Sequence, residues 1–211
     1  HAENIRIGGG EIVFDYVSPL GNISDVQLGV PVAINIENGI AAMALAQLGG
    51  VSNEDIKTGM ASFRGVDRRF DFKIKTDKVV YLSDYAHHPE EIKQSILSMR
   101  ALYEGKRLTG IFQPHLYTRT RDFYQEFADS LSLLDEVILT DIYPARELPI
   151  EGVSSQLIYD NLRPDIDKTL CKKEEVIDIL KKKEIEVLMT SGAGDIENYA
   201  HQICEILNER C

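Results

Sequence analysis

Val79-Val80-Tyr81-Leu82-Ser83-Asp84-Tyr85-Ala86-His87-His88-Pro89-Glu90-Glu91 decides how the chain is read. Its first four residues are apolar, β-branched or aromatic, which predicts a strand. Pro89 and the two acids after it predict the first turn of a helix, because proline gives up no hydrogen bond there and carboxylates favour the positive end of the helix dipole. Between the two elements stand a carboxylate, a phenol and two imidazoles. Open α/β sheets hold their ligands at such places, outside the carboxyl ends of the strands.

The same change of pattern recurs downstream. Strands are predicted near 79–83, 108–112, 136–142, 169 and 186–190, and helices over 89–102, 120–133, 154–161, 174–182 and 195–207. Alternation of this kind implies an α/β fold, a Rossmann-like and mostly parallel sheet with helices on both faces. The helix at 89–102 presents Ile92, Ile96, Met99 and Leu102 to the core, and the last helix presents Ile196, Tyr199, Ile203 and Ile206. If the runs at 79–83 and 108–112 are neighbouring parallel strands, the polar clusters at their ends share one edge.

Upstream the pattern differs. Residues 5–31 predict short strands and turns, with Gly8-Gly9-Gly10 as a hairpin turn. A phosphate-binding reading of these glycines fails, since that loop is Gly-x-x-x-x-Gly-Lys-Ser/Thr before a helix and these lead into a strand. From Asn35 a helix is predicted with Ile36, Ile40, Ala41, Met43, Ala44 and Leu48 inward, stopped by Gly49-Gly50. A second starts at Ser52 as N-cap, with Asp55 completing the start and Ile56, Met60 and Phe63 inward. The segment Gly65–Phe70 places a boundary between residues 1–66 and 67–211.

The totals narrow the classes. A chain of 211 residues holds one or two domains. A net charge of -11 argues against a nucleic-acid partner bound by phosphate neutralisation. Cys171, Cys204 and Cys211 are odd in number and form no Cys-x-x-Cys pair, so no disulfide or zinc framework is expected and a reducing cytoplasm fits. No stretch approaches the roughly 18 to 20 apolar residues of a membrane span. The start on His1, without Met and directly before strand-like sequence, is expected of a piece of a longer protein.

Three clusters carry candidate chemistry. Asp84, Tyr85, His87 and His88 are the first; adjacent histidines rarely aim at one ion, so metal ligation is not the favoured reading. His115, Arg119 and Arg121 are the second, and the planar fork of arginine suits a carboxylate or phosphate, although Arg121-Asp122 can equally be a surface pair. Ser191-Gly192-Ala193-Gly194-Asp195 is the third, where glycines let backbone amides approach a ligand or simply make a tight turn. Tyr143-Pro144-Ala145-Arg146-Glu147 occupies a fourth junction and either shapes the site or turns the chain. A hydrolase is disfavoured, as no Gly-x-Ser-x-Gly elbow is present.

From about Asn35 to the end, the chain resembles the Mur ligases of bacterial peptidoglycan synthesis. The resemblance rests on Arg68-Arg69-Phe70-Asp71-Phe72, Asp84-Tyr85-Ala86-His87-His88-Pro89, Phe112-Gln113-Pro114-His115, Thr118-Arg119-Thr120-Arg121-Asp122 and Gly192-Ala193-Gly194. It implies an ATP-dependent ligase of cell wall synthesis, using Mg²⁺, that joins L-alanine to the carboxylate of UDP-N-acetylmuramate through an acyl phosphate. By the same resemblance, residues 1–66 end a central ATP-binding domain and 67–211 form a C-terminal ligase domain. Asn35, Asn38, Arg69 and Asp84 would contact the nucleotide. Tyr85, His87, His115, Arg119, Ser191, Gly192, Ala193 and Gly194 would surround L-alanine. Ile34 departs from the His common in the family, and Leu116 from an Arg. The phosphate loop is absent from these 211 residues, so the chain alone is expected to be inactive. The competing readings are a ligase attaching a recycled tripeptide to UDP-N-acetylmuramate and a non-catalytic nucleotide-binding module.

Overall fold

A computed structural model describes residues 1–210; Cys211 lies outside the described residues. The chain divides into two compact units, residues 1–67 with 98–104 and residues 68–97 with 105–211.

The first unit contains a three-stranded antiparallel sheet, β1 (Ala2–Gly8), β2 (Glu11–Tyr16) and β3 (Ile23–Gln27) in that order. Gly8 pairs with Glu11, so Gly9 and Gly10 are the two turn residues, at φ 59° and 77°. A two-residue hairpin with positive φ at both positions matches strand twist, and glycine adopts it without a Cβ clash. The triple glycine is therefore a turn, as its sequence implies. The helices α1 (Ile34–Leu48) and α2 (Asn53–Ser62) follow. Ser52 caps α2, its hydroxyl accepting from the Asp55 amide at 3.2 Å.

The inward faces proposed for these helices need correction. In α1, Ile36 and Met43 are buried, whereas Ala41 is exposed and Leu48 is 73% exposed. Apolar residues occur around much of this helix, so its periodicity does not single out one face. Phe63 is not an inward helical residue either; it is the C-cap of α2 and is 56% exposed.

The second unit is built on a six-stranded sheet. Its strands are β4 (Asp71–Lys75), β5 (Val80–Asp84), β6 (Leu108–Phe112), β7 (Glu136–Leu139), β8 (Asp167–Leu170) and β9 (Val187–Ser191). Their order is β4-β5-β9-β6-β7-β8, with β4 antiparallel and the rest parallel. The runs at 79–83 and 108–112 are thus not neighbours, because β9 lies between them. Strand β4 is an additional element; its polar-apolar alternation, Asp71-Phe72-Lys73-Ile74-Lys75, is the signal that announces it.

The helices are α3 (Pro89–Leu102), α4 (Tyr117–Leu131), α5 (Gln156–Asn161), α6 (Val176–Lys181) and α7 (Ala200–Asn208), with 3-10 turns at Lys173–Glu175 and Ile196–Tyr199. Ile92, Ile96, Met99 and Leu102 of α3 are all buried. Tyr81, Ile111, Ile138 and Leu188 project from one sheet face into a core with Val176, Leu180, Ile203 and Leu207. Leu207, rather than Ile206, fills the last inward position of α7. On the opposite face Phe112 packs on Phe127 of α4, with ring centroids 5.2 Å apart. Helix α4 begins three residues before its expected start and kinks at Phe123. Among the described residues, no helix is long and apolar enough to cross a membrane.

Candidate functional site

The central strands β5, β9 and β6 end side by side, and main-chain bonds stitch their ends together. Gly192 N–H donates to Asp84 O at 3.3 Å, and Gln113 N–H donates to Ser191 O at 3.0 Å. The three sequence clusters thereby form one edge, with the glycine loop in the middle.

Tyr85 and His87 extend from the end of β5. Their rings lie 5.2 Å apart, and the His87 ring lies 6.1 Å from that of His115 beyond β6. Arg119 in the first turn of α4 places a guanidinium nitrogen 3.3 Å from His115 Nδ1. A guanidinium can only donate, so Nδ1 of His115 is the acceptor and carries no proton. Burial, then Arg119, then His87 push the His115 pKa below its ordinary value. Around His87 the logic is reversed: its Nδ1 lies 2.9 Å from Tyr85 O and 3.4 Å from Glu91 Oε2, both of which can only accept from it.

Several residues frame this group. Tyr143 stacks on His115 at 5.7 Å, and main-chain bonds from Leu116 to Tyr143 and from Tyr143 to Pro114 lock the two junctions together. Glu147 accepts from the Thr118 amide at 3.0 Å and from its hydroxyl, and so caps α4. The fourth junction therefore shapes the site. Arg68 adopts φ 64°, stands 4.6 Å over the Tyr85 ring and donates to Gly192 O and Gly194 O at 3.3 and 3.4 Å. Arg69 stands 5.1 Å over the same ring. Tyr143, Glu147 and Arg68 carry no sequence signal for these positions beyond lying at junctions, because their partners are distant in the chain.

Asp84 is engaged differently from its expected outward role. Its carboxylate accepts from the Phe70 amide at 3.3 Å and from the Ser95 hydroxyl, and burial pushes its pKa up. It braces the turn that carries Arg69. Ser191 is 1% exposed and its hydroxyl has no partner among the described residues. Buried hydroxyls are normally paired, and this one is an exception. Gly192 sits at φ 147°, where a Cβ would lie 2.8 Å from Gln113 O; at Gly194 a Cβ would lie 2.3 Å from Gln113 Oε1. The glycines are thus required by close packing of the turn, while Ala193 is half-buried beside them.

Not every candidate joins the site. Arg121 pairs with Asp122 at 2.7 Å on the surface, and exposed His88 packs its ring on Phe123 at 5.1 Å. Asn35 and Asn38 lie in the first unit, where they line a cavity of about 320 Å³ with Leu28, Val30, Met60 and Phe63. Among the described residues, no three His, Cys, Asp or Glu side chains gather to hold a metal. Cys171 and Cys204 are half-buried and unpaired, and burial pushes the Cys171 thiol up to about 11, which leaves it unreactive at neutral pH.

Residues 68–195 match the family model for the Mur ligase, glutamate ligase domain. UDP-N-acetylmuramate--L-alanine ligase of Phocaeicola vulgatus is 77% identical over 210 residues, covering 100% of this chain and 46% of that protein. The enzyme of the same name from Porphyromonas gingivalis is 50% identical over 211 residues, again covering 46% of its length. The chain spans about half the length of the curated relatives it matches. The crystal structure of UDP-N-acetylmuramate-alanine ligase from Thermotoga maritima superposes with a TM-score of 0.78 at 24% identity, covering 100% of this chain and 46% of that one, a likeness of fold. With the family model matching more than half of its residues, the chain belongs to the Mur ligase family.

Proposed function

We propose that this chain is the amino-acid-binding part of a cytoplasmic, ATP-dependent ligase that joins L-alanine to the carboxylate of UDP-N-acetylmuramate. The observation that carries the reading is the gathering of Tyr85, His87, His115 and Arg119 at one sheet edge. That group offers a cation and an N–H for a small carboxylate, and imidazoles beside it for an amine. The names of the relatives at 77% and 50% identity supply the substrates.

In this reading residues 67–211 form the ligase domain and residues 1–66 the end of an ATP-binding domain. Asn35 and Asn38 face the adenine, since a mostly apolar cavity with a few amides suits a flat heterocycle. Arg69 meets the phosphates, with Asp84 bracing its turn, and Ser191 to Gly194 close the alanine pocket. ATP with Mg²⁺ converts the muramoyl carboxylate to an acyl phosphate; positioning and cations dominate phosphoryl transfer. No residue described here is assigned to the ion.

The test is kinetic. In the full-length enzyme, Arg119→Ala raises the KM for L-alanine at least about tenfold, the equivalent of one lost charged hydrogen bond, with the KM for ATP little changed. Unchanged alanine kinetics would refute the pocket. The 211 residues alone, which contain no Gly-x-x-x-x-Gly-Lys-Ser/Thr, show no ATP-dependent ligation; turnover by this chain would overturn that expectation.

A further inference from the structure

The two central imidazoles differ in which nitrogen is committed. At His87, Nδ1 faces the Tyr85 carbonyl and the Glu91 carboxylate, at 2.9 and 3.4 Å. Neither oxygen has a proton to give at neutral pH, so the ring proton resides on Nδ1, and Nε2 has no partner among the described residues. At His115 the Arg119 guanidinium occupies Nδ1, so the proton resides on Nε2. One ring therefore presents a lone pair and the other presents an N–H.

Glu91 is held to this task by the start of α3. Its Oε2 also accepts from the His87 and His88 amides at 2.9 and 3.2 Å. Burial pushes the Glu91 pKa up, but those amide bonds and the charge of Arg69 outweigh it and hold the carboxyl below the usual range. An ionised carboxylate on Nδ1–H fixes the tautomer and the orientation of the ring. The other titratable neighbours of His87 are Tyr85, under Arg68 and Arg69, and His115, backed by Arg119 with Glu147 near it.

We propose that His87 is the proton acceptor for the attacking amine and that Glu91 is its positioning residue. The proposal rests on the ligase reading above. The ammonium of the amino acid transfers one proton to His87 Nε2. The freed lone pair forms the C–N bond as the C–O bond to phosphate breaks, the phosphate leaving with that electron pair. A second nitrogen proton passes to the departing phosphate, and the imidazolium returns the first to solvent.

Hydroxylamine, neutral at physiological pH, needs no such deprotonation and separates the two readings. In the full-length enzyme with ATP and UDP-N-acetylmuramate, His87→Ala lowers the kcat for L-alanine by about 100-fold or more, the usual contribution of a general base. Hydroxamate formation falls by less than a tenth as much. Glu91→Gln, which keeps an oxygen for the two amides but loses the charge, shows a smaller loss of the same selectivity. Equal losses with both nucleophiles would overturn the proposal, whereas no hydroxamate from the unaltered enzyme would overturn the ligase reading itself. Nitrogen-15 imidazole shifts of this chain give a test independent of turnover: His87 is expected as the Nδ1–H form and His115 as the Nε2–H form. An Nε2–H form at His87 would sink the assignment.

Discussion

His115 is where several small effects combine, and most of them act in one direction. Its half-buried ring stacks on Tyr143; burial, the Arg119 charge on one nitrogen and the nearby His87 disfavour the imidazolium and outweigh the opposing carboxylate of Glu147. Its folded pKa is depressed, so the stability it contributes is present above the ordinary histidine value of 6.5 and is lost as pH falls through the lower folded value. An NMR titration should find His115 titrating below 6.5. Arg119→Met should raise that midpoint only partway, because burial is the larger cause. A midpoint at or above 6.5 in the unaltered chain would contradict this account. None of it is visible in the sequence, where His115 and Tyr143 are 28 positions apart. By contrast Arg119, four residues after His115 at the start of a helix, is a local pairing that spacing already suggests.

At the level of the element, the junctions carry the site and the strands carry the junctions. The loop after β9 is held on one side by Arg68 and on the other by Gln113, whose amide donates to Asp195 at 2.8 Å while its oxygen accepts from Ile196 at 3.0 Å. Lys173 pairs with the same aspartate. Gln113 Oε1 cannot retreat without losing its bond to the Ile196 amide. Gly194→Ala should therefore cost about 1 to 3 kcal/mol by urea unfolding, the usual penalty of overpacking, and, under the function proposed above, weaken alanine binding in the full-length enzyme. A neutral effect on both would show that the loop is looser than the contacts indicate. The sequence shows the glycines but not their reason, since nothing local says that Gln113 fills the space.

On the scale of the whole chain, the last strand is the most consequential. β9 pairs along its length with both β5 and β6, so the second unit cannot complete its sheet until residues beyond 186 arrive. Amides of Leu188, Met189 and Thr190 should be among the slowest to exchange with deuterium, opening only with global unfolding of that unit. Strands β1 to β3, in the other unit, should exchange on their own schedule. Fast exchange in β9 would mean that the sheet opens at its centre, contrary to a core in which Leu188 is fully buried among Tyr81, Ile111 and Ile138.

By itself the sequence determined the local matters. Apolar runs, capping residues and turn glycines act within a few positions, so the alternating elements, the hairpin at Gly9-Gly10, the Ser52 cap and the polar clusters at strand ends were all legible. Only the tertiary structure decided which strands stand side by side. Pairing β9 between β5 and β6 joins residues more than 70 positions apart, and no local periodicity encodes that choice. The same long-range packing selected which α1 residues are buried, turned Asp84 inward, and brought Arg68 and Tyr143 to the site. Local propensity sets what each segment becomes; burial of shared surface sets what it touches.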